Sequence, residues 1–205
     1  MLPFFDGCGP FKRWIKTPIS IDDVKNGTAT SVMEPQVHDL IRNTIERITA
    51  SGSKVVGLIG FSQGTKVVAG LLKGSELRAA LAEKGEDVAD LSWCDFSFGI
   101  MICGSYPPPL FPQDVVAKVE KAAGLSEVEK KELLARKISM PVFHVLGTQD
   151  EYLWAGQLLT DDFFEVGEGK SEVRKWDMGH HYPVKVEESE EIGEWAVGVM
   201  KKDAQ

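Results

Sequence analysis

Four short apolar runs rich in β-branched and aromatic residues recur along the chain, at Val55 to Ile59, Phe96 to Ile102, Val142 to Leu146 and Val173 to Trp176, with amphipathic segments between them. Such alternation demands an α/β architecture with a mostly parallel sheet. The runs are nearly continuous in hydrophobicity, as expected of strands covered by helices on both faces. Before the first run, Val37, Leu40, Ile41, Ile45 and Ile48 form one helical stripe, which predicts a helix ending near Gly52. A second helix begins just after Ser62, with Val67, Val68, Leu71 and Leu72 as its apolar face.

The stretch Gly104 to Gln113, "GSYPPPLFPQ", holds four prolines. It can be neither helix nor central strand, so it is a loop at a strand's C-terminal end. Two short helices are expected next, Asp114 to Ala123 and one opened by Ser126-Glu127-Val128-Glu129, a capping-box pattern. The region 105–137 reads equally as a cap over a site or as an ordinary crossover. A last helix is expected from about Val184 to Lys201, and the 205 residues read as a single domain, 1–205.

Composition narrows the function by exclusion. A formal net charge of −8 repels a phosphate backbone and gives no footprint for nucleic acid or an anionic membrane. No apolar run approaches the roughly 20 residues of a membrane span. Cys8, Cys94 and Cys103 are odd in number and lack metal-ligand spacing, so neither a disulfide framework nor a metal site is indicated. The expectation is a cytoplasmic protein with no metal or organic cofactor.

Chemistry concentrates where the first run meets its helix, at "GFSQG", Gly60 to Gly64. A serine hydroxyl is a poor nucleophile until a base accepts its proton and a third group orients that base. Placed on a sharp strand-to-helix turn, Ser62 projects above the sheet edge, and the flanking glycines are expected to be required because a Cβ at either position crowds the turn. The Gln63 backbone N–H, at the helix start, faces a developing oxyanion. In "PVFHVLGTQDEYL" a strand ends at Gly147 and Asp150 follows in a loop over the same edge. Its competing reading is a helix N-cap, with Asp177 and Glu151 as rival acids. In "KWDMGHHYPV" the base is His180 or His181, Gly179 freeing the backbone to swing the side chain over the edge. His38 falls on an amphipathic helix and His144 inside a strand, where core packing is the usual fate.

Three stretches together, "GFSQG" at 60–64, "FHVLGTQDEYL" at 143–153 and "MGHHYPV" at 178–184, resemble the FSH-type serine hydrolases, a group of fungal esterases and thioesterases. The segment "GPFKRW" at 9–14 and the loop "ICGSYPPP" extend the resemblance over nearly the whole chain. It implies an α/β-hydrolase fold with Ser62, Asp150 and His180 as the triad, since that family's Gly-His-x-x-Pro pattern falls on His180 and Pro183. It further implies hydrolysis of a carboxylic ester or thioester, on a polyketide-type acyl chain that is free or bound to a carrier protein. Family members begin with an apolar strand and a His-Gly loop that supplies a second oxyanion N–H, and Met1-Leu2-Pro3 offers neither. The chain is therefore expected to lack the first strand of the fold. The alternative function is a hydrolase-like binding protein of weak activity.

Overall fold

A Schellman turn closes the first long helix and points the chain into the sheet. The helix begins at Pro35, a residue pre-set for the first helical position. It ends where Gly52 adopts φ 84°, with its N–H donating to Thr49 O at 2.9 Å and Ser53 N–H to Ile48 O at 3.3 Å. The computed structural model describes residues 14–15, 20–26 and 28–203.

In chain order the elements are α1 (Ile21–Lys25), α2 (Pro35–Ala50), β1 (Gly57–Phe61), α3 (Gly64–Glu83), β2 (Phe98–Ile102), α4 (Gln113–Lys121), α5 (Glu127–Ala135), β3 (Val142–Gly147), α6 (Leu153–Phe163), β4 (Ser171–Trp176) and α7 (Val186–Asp203). The four strands pair in sequence order, all parallel. The sheet between helices is that of the α/β-hydrolase class read from the sequence. The capping box at α5 is formed, with Ser126 Oγ accepting from Glu129 N–H at 3.2 Å and the Glu129 carboxylate accepting from Ser126 N–H at 2.9 Å.

Helices α2, α3 and α4 cover one face of the sheet, where Val37, Ile45, Val67, Leu71, Val115 and Val142 belong to one buried cluster. Helix α7 covers the other face, packing Trp195 and Val199 against Phe98, Phe143 and Val145. Two patterns differ from the periodicity reading. Leu40, on the expected buried stripe of α2, is 60% exposed. Helix α3 is buried on all sides from Thr65 to Ser75 rather than along one face. The reason is its central place: the sheet lies on one side, α4 on another, and the proline loop crosses it so closely that a Cβ at Gly70 would meet Leu110 O at 1.7 Å.

Of the region 105–137, Ser105 and Tyr106 lie beside Ser62. Helix α5 sits against the far end of α3, where Lys84 pairs with Glu129 at 2.8 Å, about 33 Å along the helix from Ser62 at 1.5 Å per residue. Among the described residues no helix is long and apolar enough to cross a membrane. The front stretch Met1 to Arg13, on which the expectations about Cys8, the start of "GPFKRW" and the missing strand fall, lies outside the described residues.

Candidate active site

Parallel strands end on the same edge, so the loops after β1, β2, β3 and β4 converge there. The loop after β1 is the tightest. Ser62 follows Phe61 directly with φ 49°, a left-handed conformation that costs a residue with a Cβ roughly 1 kcal/mol or more. Its N–H is tied to Ile102 O at 3.0 Å, and Gln63 opens α3 as its N-cap. The two glycines differ in their need to be glycine. A Cβ at Gly60 would sit 2.8 Å from Gly64 O and from Val68 Cγ2, whereas at Gly64 its nearest neighbour is Trp14 Nε1 at 3.8 Å, an ordinary contact. Only Gly60 is sterically required.

The structure brings Ser62, His180 and Asp150 together. His180 Nδ1 lies 2.8 Å from Asp150 Oδ2, and His180 Nε2 lies 3.0 Å from Ser62 Oγ. A carboxylate only accepts, so Nδ1 carries the ring proton, and Nε2 is left to accept from the serine hydroxyl. Both oxygens of Asp150 are engaged: Oδ1 accepts from Tyr152 N–H at 2.8 Å, closing the turn before α6, whose N-cap is Tyr152 and not Asp150 as the competing reading had it, while Oδ2 holds the imidazole. The Asp150 side chain is 1% exposed and that of His180 29%, so the charge is shielded while the ring edge meets solvent.

The rivals are engaged elsewhere. His181 donates from Nδ1 to Tyr182 O at 2.7 Å, and its Nε2 accepts from Gly179 N–H at 3.3 Å. Asp177 accepts from Gln149 Nε2 at 3.2 Å. His38 lies 3.1 Å from Asp114 on the outer flank. His144 is buried between Thr160 and Ser171, and burial lowers its pKa to about 3. Gly179 is not among the glycines with positive φ; the glycine packed closely against this loop is Gly147 at the end of β3, where a Cβ would meet Met178 O at 2.4 Å.

A cavity of about 320 Å³ opens over this edge, lined by Ser62, Gln63, Gly104, Ser105, Tyr106, Tyr152, Ala155 and His180. Among the described residues, the N–H of Gln63, one of the lining residues, has no hydrogen-bond acceptor. The proline loop forms one wall, held by the first turn of α3: Thr65 Oγ1 accepts from Ser105 N–H at 3.0 Å, Lys66 Nζ donates to Tyr106 O at 3.1 Å, and Lys66 O accepts from Leu110 N–H at 2.9 Å. Burial pushes the Lys66 pKa down to about 8. Close approach of Gly104 to Gly156 brings α6 against the same loop, and the Tyr106 and Trp154 rings lie parallel with centroids 6.5 Å apart. The sequence reading missed Thr65, Lys66, Tyr106 and Tyr152. The one local signal was position, since Thr65 and Lys66 lie within a helical turn of Ser62.

Among the described residues, one set of potential metal-ligand atoms lies within 4.8 Å, on Cys103, Asp150 and His180. The acid and the ring already bind each other there, and burial with the neighbouring Asp150 charge pushes the thiol up to about 11. The arrangement is therefore an acid, a base and a hydroxyl in series, at the wall of a cavity that Gln63 also lines.

Comparison with known proteins finds serine hydrolases and esterases. A sequence model of the family described as "Serine hydrolase (FSH1)" matches residues 23–192. "Probable esterase tazC" of Aspergillus terreus is 23% identical over 194 residues, covering 90% of this chain and 68% of that protein. "Esterase FUS5" of Gibberella moniliformis is 25% identical over 195 residues, covering 95% of this chain and 64% of its own. "Esterase tropF" of Talaromyces stipitatus is 29% identical over 196 residues, covering 86% and 60%. The chain thus spans about two-thirds of the length of these relatives.

Proposed function

Since this chain belongs to the FSH1 serine hydrolase family, we propose that it hydrolyses a carboxylic ester or thioester through an acyl-enzyme formed on Ser62. The observation that carries the proposal is the unbroken hydrogen-bond series from Asp150 through His180 to Ser62 Oγ. Ser62 Oγ attacks the carbonyl carbon as its proton passes to His180 Nε2. The Asp150 carboxylate, already at Nδ1, stabilises the imidazolium that results.

Negative charge gathers on the carbonyl oxygen in the tetrahedral intermediate. The donor assigned to that charge is the Gln63 N–H, at the positive end of α3, a helix of 20 residues, on the cavity wall. One such donor is worth about 10² to 10³ in rate. When the intermediate collapses, the imidazolium returns its proton to the leaving alcohol or thiol. Water then attacks the acyl-serine with His180 as base, and the second collapse frees the acid.

The finer proposal is that the acyl group is of the polyketide type, free or carried on a protein. Its support is the likeness in sequence to the FSH-type group, together with a cavity walled by Tyr106 and Tyr152 with the parallel Tyr106–Trp154 pair at its side. Flat or conjugated acyl chains gain most from such walls. Cys94 and Cys103 as free thiols support a reducing, cytoplasmic setting.

A fluorophosphonate probe tests the nucleophile. The expected result is labelling of the folded protein that disappears in Ser62→Ala. Folded protein that takes no label defeats the enzyme reading and leaves a hydrolase-like binding protein. Turnover of p-nitrophenyl esters against acyl-thioesters then separates esterase from thioesterase.

A further inference from the structure

Among the described residues, two that are not glycine have a positive φ, Ser62 at 49° and Cys103 at 47°. They are neighbours. β1 and β2 run in register to Phe61 opposite Ile102, so each strained residue is the first past its strand's end. Strain of this kind persists only where the surroundings impose it, and it gathers at functional sites. For Ser62 the proposed chemistry accounts for it. Cys103 has no part in that chemistry.

We propose that Cys103 is a positioning residue, whose thiol fixes the loop that presents His180. This rests on the hydrolase reading above. The Cys103 N–H continues the ladder to β3, donating to Val145 O at 2.9 Å. The left-handed turn at its Cα then directs Sγ across the end of β3 toward the loop after β4. There Sγ lies 3.6 Å from Gly179 O and 3.6 Å from His181 O, the carbonyls on either side of His180. One thiol proton shared between these two acceptors ties down the peptide group that precedes His180 and the one that follows His181, so the loop is held on both sides of His180. Cys103 is 1% exposed, so solvent does not compete for its proton; the Asp150 carboxylate, within 4.8 Å of Sγ, is the other acceptor nearby. The thiol also stays protonated and able to donate at neutral pH, its pKa pushed up to about 11.

The loop is otherwise held at separate points: Met178 is buried in the core, His181 N–H donates to Gly179 O at 3.0 Å, and the Tyr182 ring stacks on Phe61 with centroids 4.9 Å apart. No helix or strand spans the residues between Trp176 and Val186. Its other ties to β3 and the turn after it are the close contact at Gly147, the Gln149 N–H to Met178 O bond at 3.1 Å and the side-chain bond from Gln149 to Asp177. These hold the loop before His180. The Cys103 contact to His181 O reaches the residue after it.

The test compares Cys103→Ala and Cys103→Ser with the parent by p-nitrophenyl butyrate kinetics and by the rate of fluorophosphonate labelling. Loss of the pin lets the imidazole wander, so Cys103→Ala is expected to lower kcat about tenfold with KM within about twofold, and to slow labelling in parallel. Cys103→Ser keeps a donor and is expected to recover kcat to within about threefold of the parent. An alanine variant within about twofold of the parent in kcat and labelling rate, or a serine variant no better than alanine, overturns the proposal. If the alanine variant does not fold, the serine variant decides alone: labelling within about threefold of the parent supports the pin, and a loss of about tenfold overturns it. A parent that takes no label overturns the hydrolase reading and this proposal together, whereas a labelled parent with an indifferent Cys103 overturns only this one.

Discussion

The middle of β3 and the loop over its C-terminal end each hold a histidine joined through both ring nitrogens to oxygen atoms, and the two behave as opposites. His144 donates from Nδ1 to Thr160 Oγ1 at 3.1 Å, the threonine proton being spent on Gly156 O, and accepts at Nε2 from Ser171 Oγ at 3.3 Å. His180 donates from Nδ1 to Asp150 and accepts at Nε2 from Ser62. Both rings therefore hold the same tautomer and both face a serine. What differs is the third group and the water. A neutral threonine cannot stabilise an imidazolium, and at 2% exposure His144 gains nothing from solvent, so its protonation is pushed down to about pH 3. His180 has a carboxylate behind it and a solvent-facing edge in front. A hydrogen-bonded Ser–His pair is thus not by itself a catalytic unit; a buried acid and access to the cavity are what make it one.

Replacing the acid is the most forceful way to break this contrast. Asp150→Asn keeps the shape but lets Nδ1 lose its proton to Nε2, and kcat/KM on p-nitrophenyl esters is expected to fall by about 10³ to 10⁴. A loss smaller than about tenfold would mean that the carboxylate is not what separates the two histidines.

The converse change acts on stability instead. His144→Gln disturbs a buried network and is expected to cost about 1 to 3 kcal/mol in urea denaturation while leaving turnover close to the parent's. A pH series sharpens it. The pKa of His144 is lowered in the folded state, so the unfolded chain binds more protons between pH 6.5 and about 3. Its contribution to stability is therefore fully present above pH 6.5 and falls on acidification, by about 1.4 kcal/mol per pH unit, until the folded pKa is reached. Subtracting the His144→Gln curve from the parent curve should isolate that slope, and a flat difference would show that the ring is not held neutral. The smallest effect belongs to His181→Ala. With both nitrogens turned to its own loop, kcat is expected to stay within about threefold of the parent, and loss of turnover there would reassign the base.

Local patterning made much of the fold legible. The β-branched runs became parallel strands with ends shifted by at most two residues, as boundaries set by hydrogen bonding rather than composition usually are. The capping box at Ser126 and the stop at Gly52 are local chemistry and stand where the sequence put them. The burial pattern was less legible. Leu40 belongs to the helical stripe of α2 yet faces out, and α3 is buried all round, because both depend on which elements lie alongside. At the candidate site, the motifs singled out Ser62, Asp150 and His180, and the structure supplies the distances between them. They could not show that Asp150 divides its two oxygens between a turn and a ring, that Gly60 and not Gly64 is sterically required, or that Cys103 reaches the loop from β4.

By itself, then, the sequence determined the strand and helix order, the sharp turn that lifts Ser62, and the loops from which an acid and a base could come. Each follows from interactions among residues a few positions apart, which periodicity, glycine and proline record directly. Only the tertiary structure decided how closely His180 meets Ser62, that Lys66 and Thr65 hold the cavity wall, and that a second strained residue sits beside the first. Those choices depend on contacts between residues 40 to 118 positions apart, and packing across that distance leaves no trace in local pattern.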